Sequence, residues 1–247
     1  MSYGIEDIQS CPIDKKNKRY IHLKGDKVAN VFNYEGDYKY QMNLQDFGHE
    51  NDAYIEDDCL YTIDGSSSNY DGLLEVYEYD FQKENFRTNT YDLGKSNSLS
   101  LIGGICKYSM RYHLIVAYNL QGNDRLFSNK VQIFTLDKKT NEVSMLFCTD
   151  WQEWFVQGTT FINGYLYVVT NMLPEIVNSK TYYRGVHISK FDIQQKQMID
   201  QIEILGCFEP EGLDSYSDEK GTPYLIMGIG SHQTSPIICQ LLKMEAF

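Results

Sequence analysis

Two neighbouring stretches decide how this chain folds: QGTTFINGYLYVVTN (residues 157–171) and RGVHISKFDIQQKQMIDQIEI (residues 184–204). The first opens on a polar residue and a glycine, enters a short strand, turns, and returns as an apolar strand. The second reads as a hairpin in which apolar and polar residues alternate, the period of a half-buried strand. The same order recurs along the chain. GGICKYSMRYHLIVAYN (103–119) is followed by KVQIFTLDKKTNEVSMLF (130–147), and GHENDAYIEDDCLYTIDG (48–65) by LLEVYEYDFQKENFRTNTYDL (73–93). IQSCPIDKKNKRYIHLKG (8–25) with KVANVFNYEGDYKYQMNL (27–44) is the first copy, and EPEGLDSYSDEKGTPYLIMGIGS (209–231) with IICQLLKM (237–244) the last.

The copies open near Gln9, His49, Gly104, Gln157 and Glu211, at separations of 40, 55, 53 and 54 residues. A fixed period of this size, built from four short strands, is the signature of a β-propeller. The expected fold is therefore all-β: a five-bladed β-propeller of four-stranded antiparallel blades around a central channel, in a single domain over 1–247. The last copy has room for three strands, and MSYGI (1–5) is expected to supply its missing edge, closing the ring and removing exposed strand edges.

Composition bounds the function. Of 247 residues, 42% are hydrophobic, enough for a sizeable core, and the formal net charge is −12. That balance disfavours nucleic acid, whose phosphates need clustered Lys and Arg, and disfavours adsorption to an anionic membrane. The six cysteines, Cys11, Cys59, Cys106, Cys148, Cys207 and Cys239, form no CxxC pair and read as free, mostly buried thiols. Neither a signal peptide nor a membrane-length apolar run is visible, so synthesis in the cytoplasm without membrane insertion is expected. Tyrosine is abundant, with 20 copies; it suits strands and, with its flat face and polar tip, sugar-binding surfaces.

In a propeller the innermost strand of each blade lines the axis, so the five openings converge. Gln9, His49, Gln157 and Glu211 then surround one mouth, with Asn51 and Asp52 beside His49. Aligned in this way, the chain resembles, over almost its whole length, the five-bladed propeller that serves as receptor-binding domain in tail proteins of phages infecting Gram-positive bacteria. Many of those carry a teichoic-acid-related description, and helveticin J-like bacteriocins share the pattern. The residues that carry the resemblance are Gln9-Ser10, Gly48-His49 with Asn51, QGTTFINGYLYVVT (157–170), and EPEGL (209–213) followed by KGTPYLIMGI (220–229). The resemblance implies a non-catalytic carbohydrate-binding propeller that attaches to a cell-wall glycan, most directly wall teichoic acid sugars. It implies no cofactor and, in a phage tail, a homo-oligomer; the location is then a virion tail or the extracellular medium.

The chemistry of single residues leaves alternatives open. Glu211 either caps backbone N–H groups near the axis or binds hydroxyls. With Glu209, two residues away on one strand, it forms a carboxylate pair of the kind that cleaves glycosidic bonds; if the chain is an enzyme, Glu211, Glu209 and His49 are the catalytic candidates. The five histidines make no HxxxH or HxH pair, so no metal site is expected. Trp151 and Trp154, in DWQEWF (150–155), offer faces for stacking on a sugar, against the plainer reading that one packs between blades. The long insertion 170–185 adds Tyr182, Tyr183 and Arg184, the last able to pair with a phosphate or carboxylate. Asp64 to Glu75 has the length of an EF-hand loop but lacks its glycine and its helices, and reads as a hairpin loop.

Overall fold

Short turns set where each strand begins and ends. Asn163-Gly164 has both residues at positive φ, 54° and 86°, the conformation that matches the twist of a two-residue hairpin. It joins a strand over Val156–Ile162 to its return over Tyr165–Asn171. A second device recurs between the outer strands. Asp80 Oδ1 accepts the backbone N–H of Gln82 and Lys83, Asp137 Oδ1 those of Lys139 and Thr140, and Asp192 Oδ1 those of Gln194 and Gln195. Four residues after each aspartate, Glu84, Asn141 and Lys196 take φ of 49°, 57° and 58°. The side chain supplies the acceptor that the turning backbone lacks, so the hairpin is closed locally.

The computed structural model describes residues 8–24, 28–44, 50–64, 72–94, 101–121, 127–153, 155–172, 175–177, 180–182, 184–206, 209–230 and 240–243. In chain order the strands are β1 (Ile8–Ser10), β2 (Ile13–Asp14), β3 (Arg19–Lys24), β4 (Val28–Asn33), β5 (Tyr38–Asn43), β6 (Glu50–Glu56), β7 (Cys59–Asp64), β8 (Leu73–Asp80), β9 (Asn85–Asp92), β10 (Leu101–Lys107) and β11 (Tyr112–Gln121). They continue with β12 (Phe127–Asp137), β13 (Val143–Glu153), β14 (Val156–Ile162), β15 (Tyr165–Asn171), β16 (Glu175–Val177), β17 (Lys180–Tyr182), β18 (Gly185–Asp192), β19 (Gln197–Leu205), β20 (Glu209–Ser217), β21 (Pro223–Gly230) and β22 (Gln240–Lys243).

Four sheets run antiparallel in the orders β1-β3-β4-β5, β6-β7-β8-β9, β10-β11-β12-β13 and β14-β15-β18-β19. They are four four-stranded blades of a β-propeller around a common axis. The first also carries β2 as an extra strand paired to β3, which the sequence repeat did not foretell. The sheet β20-β21-β22 has three described strands, and MSYGI, expected to complete it, lies outside the described residues. The innermost strands pack in the cyclic order β1, β6, β10, β14, β20 and back to β1.

The cores lie between successive sheets. Ile21, Leu23 and Val31 pack against Leu60 and Tyr77; Ile63, Leu74 and Val76 against Ile105, Ile115 and Phe134; Leu114, Val116 and Ile133 against Val156, Leu166, Val168 and Phe191; Tyr167, Val169 and Ile188 against Leu213, Leu225 and Met227. Second strands are therefore apolar on both faces, as in β15, where Leu166 to Asn171 are all buried. Outer strands such as β9 and β19 are largely exposed. Burying each large aliphatic side chain contributes about 1.5–3 kcal/mol, which fixes the angle between neighbouring blades. Cys11, Cys59, Cys106 and Cys148 are free thiols; Cys11 and Cys106 are buried, but Cys148 is exposed on the outer strand β13.

Candidate functional site: a ring of bulges at the axis

Each innermost strand breaks its pairing register once, near its first residues. The shift falls between Ile8 and Ser10, Glu50 and Asp52, Ile102 and Gly104, Val156 and Gly158, and Pro210 and Leu213. The residues left out of the ladder are Gln9, Asn51, Gly103, Gln157 and, in β20, Glu211 with Gly212. A bulge adds a residue that no partner strand opposes, and so re-aims it away from the ladder. Chain-distant positions thus come to one end of the axis.

The residues that follow are packed tightly. A Cβ on Gly104 would lie 2.1 Å from Thr159 Cγ2, and one on Gly158 only 2.4 Å from the backbone N of Leu213. Gly212 sits against Ser10 and Cys11 at a φ of +89°, so glycine is required there for both space and conformation. Into this narrow region β6 sends Asp52, which is 0% exposed. Its Oδ2 accepts Ile105 N at 3.0 Å, Thr159 N at 2.8 Å and Thr159 Oγ1 at 2.9 Å. An innermost strand has one hydrogen-bonding edge facing the axis, and Asp52 satisfies that edge on both β10 and β14. Among the described residues its Oδ1 has no hydrogen-bond partner. Burial pushes the Asp52 carboxyl well above the usual carboxylate range, against the opposing pull of the Thr159 and Ile105 hydrogen bonds.

Between β14 and β20, Glu209 Oε1 accepts Gln157 Nε2 at 3.0 Å and Asn171 Nδ2 at 3.3 Å. The neighbouring Thr170 donates to Glu153 Oε2, which also meets His187 Nδ1 at 2.8 Å, while Gln201 Nε2 donates to Glu153 Oε1 at 2.6 Å. The Glu153 hydrogen bond raises the His187 pKa against partial desolvation, and Glu203, 3.6 Å from Nε2, adds to it. Thr170 and Asn171 alternate sides of β15, so these are two polar groups on opposite faces of one sheet: Glu209 with Gln157 and Asn171 toward β20, and Glu153 with Thr170, His187 and Gln201 toward β13.

Of the residues expected from sequence, Gln9 and Asn51 occupy bulges in β1 and β6, Gln157 is half-buried on the bulge of β14, and Glu211 is buried in that of β20. His49, Trp154 and Tyr183 lie outside the described residues, as does 65–71 of the hairpin loop. The insertion 170–185 holds a two-stranded hairpin, β16–β17, with Tyr182 at its end and Arg184 exposed beyond it. It springs from the bulge end, since Asn171 and Val186 are paired there. Trp151 corrects its expected role: it is 4% exposed and meets Phe191 edge-on at 6.1 Å, an interblade packing residue with no face for a sugar. A large aromatic at the end of β13 fills the wedge between two diverging sheets. Asn171, Glu153, His187 and Gln201 were not singled out from sequence, because their meeting depends on neighbouring blades; only Asn171, closing the repeat stretch 157–171, had a visible positional cue.

No protein-family model matches the chain, and no curated protein matches it. Among solved structures it is similar to the Dos1 propeller (TM-score 0.44, 10% identity, 90% of this chain and 52% of that one). It is also similar to the RRP9 WD40 repeats (0.47, 12%, 95% and 67%) and to a chain of the mitotic checkpoint complex (0.48, 12%, 94% and 63%). The chain spans between about half and two thirds of the lengths of these structures.

Proposed function

We propose that the chain is a five-bladed propeller that binds a bacterial surface glycan at the bulge ring without altering it, as its resemblance to phage receptor-binding domains implies. The sheet β20-β21-β22 is the fifth blade in this reading. The observation that carries it is the recurrence of one bulge at one height in all five innermost strands, with Gln9, Asn51, Gln157 and Glu211 on four of them. A repeated bulge is in keeping with a repeated blade; what supports a binding surface is that polar residues fill four of the five positions. Binding rather than cleavage follows from the acids' surroundings: Glu211 is 7% exposed, and Glu209 is held by two amide donors, where a hydrolase needs two carboxyl groups facing the scissile bond.

The setting we propose is a virion tail, with homo-oligomerisation there, or release outside the cell; wall teichoic acid sugars are the first ligand to test. With a net charge of −12, recognition rests on sugar hydroxyls, so affinity stays flat or rises with salt. The experiment is a glycan array with cell-wall preparations stripped or not stripped of teichoic acid, comparing the wild type with Gln157→Ala. Wall binding lost on stripping and weakened roughly tenfold in the variant, the size of one lost net hydrogen bond, supports the reading. Release of product that Glu211→Gln abolishes would establish a hydrolase or lyase instead, and killing of sensitive cells by the purified chain a helveticin-like bacteriolysin.

A further inference from the structure

Where the third and fourth sheets meet, β18 and β19 place a histidine and a glutamate side by side. His187 and Glu203 are directly opposed in the antiparallel register, so their side chains stand on the same face. Nε2 of His187 lies 3.6 Å from Glu203 Oε2, too far for a hydrogen bond. The other ring nitrogen is already held: Nδ1 meets Glu153 Oε2, across the seam on β13, at 2.8 Å. A carboxylate only accepts, so Nδ1 carries the proton and the neutral ring keeps its lone pair on Nε2. Nε2 and Glu203 Oε2 are then two acceptors facing each other across a gap.

Glu153 is itself fixed. It is 8% exposed and accepts Gln201 Nε2 at 2.6 Å and Thr170 Oγ1 at 3.2 Å, so the ring cannot swing away without breaking a buried network. Charge at the seam is unbalanced. Among the described residues the ion-pair partner of both Glu153 and Glu203 is His187, and neither meets a lysine or arginine. Lys190, on the same strand as His187, turns to the opposite face, over the rings of Tyr165 and Tyr167. Two carboxylates and one imidazole thus share a seam to which the chain brings no cation of its own. With side chains 23% and 51% exposed, His187 and Glu203 open to solvent.

We propose that His187 Nε2 and Glu203 bind a divalent transition-metal ion of the zinc class, with Glu153 as the positioning residue on the ring. Two donors 3.6 Å apart can both reach one ion at about 2.0–2.2 Å, close to the edge of a tetrahedron. A carboxylate on the far ring nitrogen fixes the tautomer and raises the basicity of the ligand nitrogen, the usual companion of a metal-bound histidine. The imidazole selects zinc-like ions over calcium and magnesium, which take oxygen. Among the described residues no third His, Cys, Asp or Glu completes the set, so water takes the remaining positions and the ion stays open to an exchangeable oxygen ligand. The pairing runs across strands, which is why no HxH or HxxxH spacing announces it. A bound ion ties the outer strand β19 to β18 and, through Glu153, to β13.

The test is calorimetric titration of the full, metal-free chain with Zn²⁺ and with Mg²⁺ at about pH 8, where a neutral imidazole predominates. Zinc is expected to bind and magnesium not. Glu203→Gln, at an exposed position outside the core, should weaken zinc binding roughly tenfold, and His187→Ala should abolish it; His22 and His113 are buried and offer no substitute. Zinc should raise the melting temperature of the wild type and leave that of His187→Ala where it was. Glu153→Gln should weaken binding about 10–100-fold. Nitrogen NMR of the zinc-free His187 ring should then show the Nδ1–H tautomer giving way to a mixture, a change that loosened packing alone does not produce. Zinc binding needs no glycan, so its failure and that of the bulge-ring reading are told apart. No zinc binding, equal binding in Glu203→Gln or His187→Ala, or equal binding of magnesium would overturn the proposal.

Discussion

Replacing Asp52 tests the architecture of the axis most directly. Its Oδ2 is the acceptor for two backbone N–H groups and a hydroxyl drawn from two other innermost strands. Asp52→Ala orphans all three in a region without solvent. At about 1–3 kcal/mol for each buried donor left unmade, with some relief by relaxation, the loss should be about 3–5 kcal/mol, at the upper end for one substitution. Asp52→Asn keeps an oxygen in place and should cost about 1 kcal/mol or less at acid pH. The two proteins then diverge with pH. The carboxyl's folded pKa lies above its unfolded value of about 3.9. The stability it contributes is therefore complete below that pH and is lost as pH rises through the folded value, with a limiting slope of about 1.4 kcal/mol per pH unit for one proton. Urea unfolding of wild type and Asp52→Asn at steps from about pH 4 to pH 8 measures the difference. The asparagine variant should gain on the wild type as pH rises. A gap that stays constant, or that closes in the opposite direction, would mean that Asp52 is ionised in the fold and that burial does not dominate its environment.

Gly158→Ala should lower stability by about 3 kcal/mol, because its Cβ would meet the backbone of Gly212 and Leu213, which no rotamer change can clear; thermal unfolding checks it. His187, facing Glu153 and Glu203, has a raised pKa, so its contribution is present below about pH 6.5 and fades as pH climbs through the folded value. For a partly exposed pair the effect should be under about 1 kcal/mol. Its clearest sign is the imidazole titration followed by NMR, which Glu153→Gln should move to lower pH.

The repeated strands were legible because each blade is a local unit: its turns, its alternation and its buried second strand are written within about fifty residues. The axial positions were legible for the same reason. Gln9, Gln157 and Glu211 fall on the bulges as the repeat suggested, whereas the second and third blades place Asn51 and Gly103 there, not His49 and Gly104, because a repeat aligned by pattern fixes a position only to within a residue or two. Side chains whose surroundings come from a neighbouring blade were opaque. From sequence Trp151 reads either as a binding aromatic or as one packed between blades, and Phe191, on β18, decides for packing. Asp52 was placed near the axial mouth by its position beside His49, but its role as acceptor for the edges of β10 and β14 depends on two other blades. Glu153, His187 and Gln201 are far apart in sequence and meet at the seam between β13 and the next sheet. The extra strand β2 arose from a run too short to carry any period.

Asp52 also makes three strands answer to one another. A single desolvated carboxyl oxygen of β6 holds backbone groups of both β10 and β14. A guest that displaced any one of these strands would strain the bonds of the other two, so an event at one blade is felt by its neighbours.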